Sequence, residues 1–208
     1  PHRGPDRRHR RHPGDPEAAA GPSRQGDHPA GSEGLSTRAA IGLGSNLGDR
    51  KRTLAAAVTG LGAFGGVAAV SPLYETAPVG GPDQGPYLNA VVVLDTALDP
   101  AVLLDGLLGL ERVMGRERRE RWGPRTLDLD LLLFGDRVVD EPGLSVPHPR
   151  MAGRRFVLAP LADVMPGAAL PDGRRVAALL AAAADQEVER LDTGEWWRPP
   201  GPARAHVA

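Results

Sequence analysis

Two aspartates set two residues apart carry the sharpest chemical signal in this chain. Asp128 and Asp130 stand in the segment Thr126-Leu127-Asp128-Leu129-Asp130-Leu131. Side chains alternate across a strand, so in an extended segment both carboxylates share one face, and Leu127, Leu129 and Leu131 point the other way, into a core. Two acids held this close repel unless a cation joins them or one keeps its proton. Mg²⁺ prefers oxygen ligands and is commonly held by one or two carboxylates together with substrate phosphates. Taken alone, such a pair reads more readily as a solvated face or as partners for nearby arginines. The neighbourhood shifts the balance. Arg116, Arg118, Arg119, Arg121 and Arg125 precede the acids, in a loop with Gly115, Gly123 and Pro124. Guanidinium forks match phosphate oxygens, and phosphoryl transfer runs on positioning and charge neutralisation. The competing reading is an exposed loop whose arginines pair with Glu117 and Glu120.

Other residues could join this chemistry. His148 and Arg154, in Val146-Pro147-His148-Pro149-Arg150-Met151 and just after it, could reach nucleotide phosphates, although a lone surface histidine is more often incidental. Thr76, Tyr87, Asn89, Trp122 and Phe156 suggest a second small-molecule site. Aromatic faces can sandwich a flat heterocycle, and an Asn amide places a donor beside an acceptor, which suits the edge of an aminopyrimidinone. Tyr87 and Phe156 read by composition alone as core residues. The turn Gly42-Leu43-Gly44-Ser45-Asn46-Leu47-Gly48 lacks the Lys-Ser/Thr of a P-loop and the spacing of a dinucleotide fingerprint, so it reads as a structural turn.

These residues need elements to hold them. Residues 39–43 read as a short strand. Asp49 is a fitting N-cap for a helix to residue 61. Residues 67–70 and 73–74 suggest a second strand, followed by a Gly/Pro-rich loop over 77–86. Residues 87–94, centred on Val91-Val92-Val93-Leu94, make a strong strand. Asp99-Pro100 opens a helix that ends near Gly115, with Leu103, Leu104, Leu107, Leu108 and Glu111 at helical spacing. Residues 126–134 form another strand, and residues 155–161 and 174–184 read as helical. The order β-α-β-β-α-β predicts an α+β, ferredoxin-like antiparallel sheet with helices on one face and added C-terminal helices.

Composition bounds the rest. A length of 208 residues suits one domain with tails, over 38–185, with 1–37 and 186–208 outside it. The formal net charge of −1 argues for neither a nucleic-acid nor a membrane-surface role. No cysteine excludes disulfides and thiolate metal sites. No apolar run approaches the roughly 20 residues of a membrane helix, and the expected location is the cytoplasm. Residues 1–36 carry Arg7-Arg8-His9-Arg10-Arg11-His12 and then Gly, Pro, Ala and Ser, with almost no large apolar side chain before Leu35. This composition predicts a disordered, solvated tail rather than a nucleic-acid arm.

Together the segments resemble the 6-hydroxymethyl-7,8-dihydropterin pyrophosphokinase family. Arg121-Trp122-Gly123-Pro124-Arg125-Thr126-Leu127-Asp128-Leu129-Asp130 is similar to that family's signature almost letter for letter. Ile41 to Gly48, Tyr74-Glu75-Thr76-Ala77-Pro78, Tyr87-Leu88-Asn89-Ala90 and Val146 to Met151 follow in the family's order. The resemblance implies transfer of pyrophosphate from ATP, as co-substrate, to 6-hydroxymethyl-7,8-dihydropterin, with release of AMP, in tetrahydrofolate biosynthesis. It implies that Asp128 and Asp130 hold two Mg²⁺ ions and that Arg116 and Arg125 act catalytically from a closing loop. Glu111, Arg118, Trp122, Arg125, Leu131, Ser145, His148 and Arg154 match ATP contacts. Thr76, Val79, Tyr87, Asn89, Trp122 and Phe156 match pterin contacts. It further implies a monomer, with dihydroneopterin aldolase and dihydropteroate synthase as functional neighbours. Ala77, Leu108, Gly143 and Pro149 depart from the pattern, and the arginine loop is one residue shorter than in some members.

Two other classes stand beside this reading. A metal-dependent phosphohydrolase would use the same aspartates and release AMP without a pterin. A non-catalytic ferredoxin-like binding module would leave the aspartates without a purpose.

Overall fold

A run of β-branched residues makes the centre of the sheet. The structure, a computed structural model, describes residues 36–78, 84–115, 125–191 and 194–198. Strand β4 (Tyr87–Thr96) is buried on both faces through Val91-Val92-Val93-Leu94. Such a run suits a strand covered from both sides. β1 (Thr37–Ser45) lies antiparallel to it, from Thr37 opposite Thr96 to Ser45 opposite Leu88. β5 (Asp128–Phe134) pairs antiparallel with the other edge of β1. β2 (Gly66–Val70) and β3 (Leu73–Thr76) both pair antiparallel with β4. The single second strand expected from the sequence is thus two, broken at Ser71-Pro72. Proline has no N–H for a ladder, and Ser71 repairs the break by accepting the Val91 N–H on its hydroxyl at 2.9 Å. The described result is a mixed α/β chain built on an antiparallel sheet, in the order β5-β1-β4-β3-β8, where β8 is Glu189–Leu191, with β2 also on β4.

Helices cover both faces. Helix α1 (Arg50–Leu61) starts where Asp49 accepts the Arg52 N–H at 3.0 Å, and α2 (Pro100–Val113) starts with proline in its first turn. Leu54 and Leu61 of α1 and Leu103 and Leu107 of α2 share one core with Ile41, Leu43, Val92 and Leu129 of the sheet. α3 (Arg155–Val164) and α4 (Val176–Ala182) lie on the opposite face, where Leu158, Leu161 and Val176 pack with Ala40, Val91 and Leu132. One-face packing therefore describes α1 and α2 only.

Two features were not read from the sequence. β6 (Val139–Glu141) and β7 (Leu144–Val146) form a hairpin whose turn holds Gly143 at φ +87°, a backbone region that favours glycine. That geometry accounts for the glycine at one of the departures from the family pattern. The segment after residue 185, read as a tail, contributes β8 (Glu189–Leu191), paired with β3, and a buried Trp196 whose indole N–H donates to the Ser71 carbonyl at 2.9 Å. Folded structure likewise starts before residue 38, because Thr37 begins β1. Residues 1–35, expected from composition to form a disordered tail, lie outside the described residues. Among the described residues no helix is long and apolar enough to cross a membrane.

Candidate active site

The candidate residues gather on the α3/α4 face of the sheet. Leu127, Leu129 and Leu131 are buried in the opposite core, so Asp128 and Asp130 face the same way, both partly exposed. The register brings more than the two acids together. Gly44 of β1 lies opposite Asn89 of β4 on one side and Asp128 of β5 on the other. Neighbouring strands are about 4.8 Å apart, so Asn89 and Asp128 are separated by about 10 Å across this row. Gly44, between them, contributes no side chain. A Cβ there would lie 3.4 Å from Asn89 Oδ1, 3.8 Å from Asp128 Cβ and 3.9 Å from Tyr87 Cδ1. Tyr87, two residues before Asn89, shares its face.

On the Asn89 side, the Asn89 amide donates to the Thr76 hydroxyl at 2.9 Å, and both residues are buried. This fixes the Asn89 amide with its Oδ1 toward Gly44. Burial pushes the Tyr87 hydroxyl above its ordinary pKa, and that hydroxyl donates to Gln84 Oε1 at 3.4 Å. Phe156 sits in the first turn of α3, half-buried, with the Arg154 guanidinium 5.4 Å above its ring. That distance is within cation–π reach.

On the Asp128 side, the Arg125 guanidinium donates to Asp128 Oδ2 at 2.6 Å. The Asp130 carboxyl is held above its ordinary pKa, first by burial and then by the charge of Asp128, while His148, Arg154 and Arg150 pull it down. Burial lowers His148, against the opposing pull of Asp130, so the imidazole is neutral at pH 7. His148 Nε2 lies 3.9 Å from Asp130 Oδ1, too far for a hydrogen bond. Its backbone N–H donates to the Leu132 carbonyl at 2.9 Å, which fixes the segment after β7 against β5. Burial and neighbouring Arg150 lower Arg154, which stays a cation.

Three expected nucleotide contacts look different in place. Glu111 is 2% exposed, and its carboxylate accepts the Leu129 N–H at 2.7 Å. It therefore acts as a strut beneath β5, its carboxylate turned to the backbone rather than outward. Leu131 is 4% exposed and packed in the α1/α2 core, which leaves its backbone as the part able to touch a ligand. The Ser145 hydroxyl donates to Asp140 Oδ1 at 3.3 Å across the β6–β7 hairpin. Val79, Arg116, Arg118 and Trp122 lie outside the described residues.

Sequence reading also missed members of the site. Arg150 adds a third cation near Asp130 and His148. Gly44 leaves the middle of the row without a side chain, and Asn46 ties residues 84–85 to Arg125. Strand register places Gly44, and long-range loop contacts place Asn46 and Arg150; neither is a local signal. The described residues hold no group of three or more His, Asp or Glu able to cage a metal. Two carboxylates on one face suit a cation that completes its shell with phosphate oxygens and water.

Comparison with known proteins bears on this geometry. The profile of 7,8-dihydro-6-hydroxymethylpterin-pyrophosphokinase matches residues 40–166. The chain is 49% identical over 159 residues to 2-amino-4-hydroxy-6-hydroxymethyldihydropteridine pyrophosphokinase of Pseudomonas aeruginosa, covering 74% of this chain and 96% of that one. It is 49% identical over 126 residues to the enzyme of the same name from Bacillus subtilis, covering 60% of this chain and 75% of that one. The crystal structure of wild-type Plasmodium falciparum HPPK-DHPS superposes with a TM-score of 0.60 at 17% identity. That match covers 74% of this chain and 46% of the Plasmodium chain, so this chain spans about half its length and the likeness speaks to the fold.

Proposed function

The chain belongs to the 7,8-dihydro-6-hydroxymethylpterin-pyrophosphokinase family, and from that membership we propose how this site carries out the family's reaction. The enzyme transfers pyrophosphate from ATP to 6-hydroxymethyl-7,8-dihydropterin in folate biosynthesis. The pterin hydroxymethyl oxygen attacks the β-phosphorus and loses its proton late, to a phosphate oxygen and then to solvent, while the bond from the β-phosphorus to the bridging oxygen of the α-phosphate breaks and AMP leaves with that oxygen. The row Asn89–Gly44–Asp128 is the observation that carries the assignment of residues. The pterin takes the half with Thr76, Tyr87, Asn89 and Phe156, and the phosphates take the half with Asp128, Asp130, Arg125, Arg150 and Arg154. A separation of about 10 Å leaves the bare floor over Gly44 for the hydroxymethyl group and the phosphorus it attacks.

Asp128 and Asp130 fit Mg²⁺. They are oxygen donors on one face, the Asp130 carboxyl is strained upward by burial and by Asp128, and a guanidinium already stands at Asp128 as a stand-in cation. We assign two ions to them. Held there, Mg²⁺ would supply neutralisation of phosphate charge. Arg125, whose fork matches phosphate as well as carboxylate, turns from Asp128 to phosphate. Arg154 and Arg150 hold phosphate oxygens from the α3 side, and neutral His148 offers a hydrogen bond there. Glu111 keeps Leu129, and with it the spacing of the two aspartates. Closure of 77–86 and 115–125 over both substrates, expected from the sequence, involves residues 79–83 and 116–124, which lie outside the described ones; it would exclude water, which would otherwise take the pyrophosphoryl group. Arg116, Arg118, Trp122 and Val79 keep the roles that the resemblance implies.

The sheet reads as a ferredoxin-like core with its second strand split; the order β5-β1-β4 with β2 and β3 beyond supports this. HPPK is joined to DHPS in the Plasmodium falciparum structure, which supports a functional neighbour that consumes the diphosphate product.

The test is AMP formation from ATP and Mg²⁺, with and without 6-hydroxymethyl-7,8-dihydropterin, in the wild type and in Asp130→Ala. Pterin-dependent AMP release that vanishes in the variant is expected. AMP release independent of the pterin would instead support a phosphohydrolase, and no AMP at all would remove the enzymatic reading.

A further inference from the structure

Asn46 joins the two halves of the site. It follows β1 directly and is 8% exposed. Its backbone N–H donates to the Arg125 carbonyl at 3.1 Å, and its Oδ1 accepts the Arg125 N–H at 2.7 Å. From the same amide, Nδ2 donates to Gln84 Oε1 at 2.9 Å and to the Gly85 carbonyl at 3.3 Å. Gln84 Oε1 also accepts the Tyr87 hydroxyl at 3.4 Å. One short side chain thus holds the strand-entry segment of Tyr87 on one side and the backbone of Arg125 on the other.

The chemistry fixes which way this amide points. Turned over, it would aim its NH₂ at the Arg125 N–H and its oxygen at two acceptors. Aspartate could keep the bond from Arg125 but has no hydrogen for the Gly85 carbonyl. Serine has one hydroxyl for three partners. An Asn side chain has two torsions and is nearly buried, so a shift of segment 84–86 relative to Arg125 must break bonds that water cannot readily replace.

We propose that Asn46 is a positioning residue that sets the spacing between the pterin wall and the phosphate edge, with its NH₂ serving the first and its oxygen the second. The proposal rests on the pterin and phosphate halves assigned above. It requires that changes at Asn46 act separately on the two substrates, according to which half of the amide is lost.

The experiment compares Asn46→Asp, Asn46→Ala and Gln84→Ala with the wild type. It measures kcat and KM for 6-hydroxymethyl-7,8-dihydropterin, Kd for α,β-methylene-ATP with Mg²⁺, and Tm. Asn46→Asp keeps the acceptor and loses the donors, so KM for the pterin rises about tenfold while Kd for the analogue stays within about threefold. Asn46→Ala also weakens analogue binding. Gln84→Ala, away from the buried end, raises KM in the same direction by less. Combined with Asn46→Ala it adds little, since both variants remove the Asn46–Gln84 bond. Unchanged KM and kcat in folded Asn46→Asp and Gln84→Ala overturns the proposal. So does a parallel change in KM, Kd and Tm, which is what a merely structural residue gives. A wild type that shows no pterin-dependent AMP release fails at the functional reading itself, before any variant is compared.

Discussion

Replacing Asp130 with asparagine should stabilise the ligand-free protein and abolish its reaction. Asp130→Asn keeps the shape of the side chain and removes one charge. Asp128 and Asp130 are two residues apart on β5, and two residues along a strand span about 6.6 Å. Unit charges at that distance repel by about 2.5 kcal/mol at an effective dielectric near 20, and by about 0.6 kcal/mol in water. The Asp130 side chain is 39% exposed, so screening puts the repulsion at about 1 kcal/mol. Arg154, Arg150 and His148 oppose it, yet burial and Asp128 leave the carboxyl above its ordinary pKa. A carboxyl raised in the folded state costs stability wherever it is ionised, and the cost fades as pH falls through the folded pKa toward the unfolded one. At neutral pH the cost is present in the wild type and absent in the variant. A gain of about 1 kcal/mol raises Tm by about 2–4 °C in a protein of this size. The assay is thermal unfolding in EDTA, then with Mg²⁺ and α,β-methylene-ATP, alongside pterin-dependent AMP release. In EDTA the variant melts higher. With Mg²⁺ and the analogue the wild type gains stability and the variant gains little, and AMP release falls by about a hundredfold or more. A variant that melts lower in EDTA would show that Asp130 is held by its cationic neighbours for stability, and the argument for a strained metal-binding pair would fail.

Other expectations concern the floor, the core and pH. Gly44→Ala should fold and raise KM for the pterin modestly, because its Cβ meets Asn89 Oδ1 at an ordinary 3.4 Å. Gly44→Val should lose pterin-dependent turnover but still bind α,β-methylene-ATP in a titration, and loss of both would refute the division of the row. Tyr74 donates to Asp163 Oδ2 at 2.6 Å, and burial with that carboxylate pushes its pKa up to about 12 from 10.0. Its proton is kept longer in the folded state, so stability should be full below pH 10 and fall between pH 10 and about 12. Urea unfolding across that range should show a decline of about 1–2 kcal/mol that Tyr74→Phe removes. Trp196→Ala should cost about 3–5 kcal/mol and Trp196→Phe about 1 kcal/mol beyond its lost volume. A near-neutral Trp196→Ala in chemical denaturation would mean that the segment after residue 185 is dispensable to the core.

Much of the site was legible because its signals are local. The alternation of Leu127, Asp128, Leu129, Asp130 and Leu131 determined by itself that both carboxylates would leave the core together, since the period of a strand is two. Asp49 marked the start of α1 because a cap acts over three residues, and Val91 to Leu94 marked the central strand because only a strand covered on both faces is apolar throughout. Charge and motif order named the chemistry. Long-range pairing was hidden. The bond from Glu111 to Leu129 spans 18 residues, that from Asn46 to Arg125 spans 79, and that from Trp196 to Ser71 spans 125. Glu111 therefore read as a nucleotide contact and Trp196 as part of a tail. The register that sets Asn89, Gly44 and Asp128 in one row belongs to three strands at once, and no property of any one of them specifies it. Sequence alone determined that the two acids leave the core on one face, because that depends on neighbours along the chain. Tertiary structure decided how far Asn89 lies from Asp128 and that Gly44 stands between them, because a distance between strands exists only once they pair.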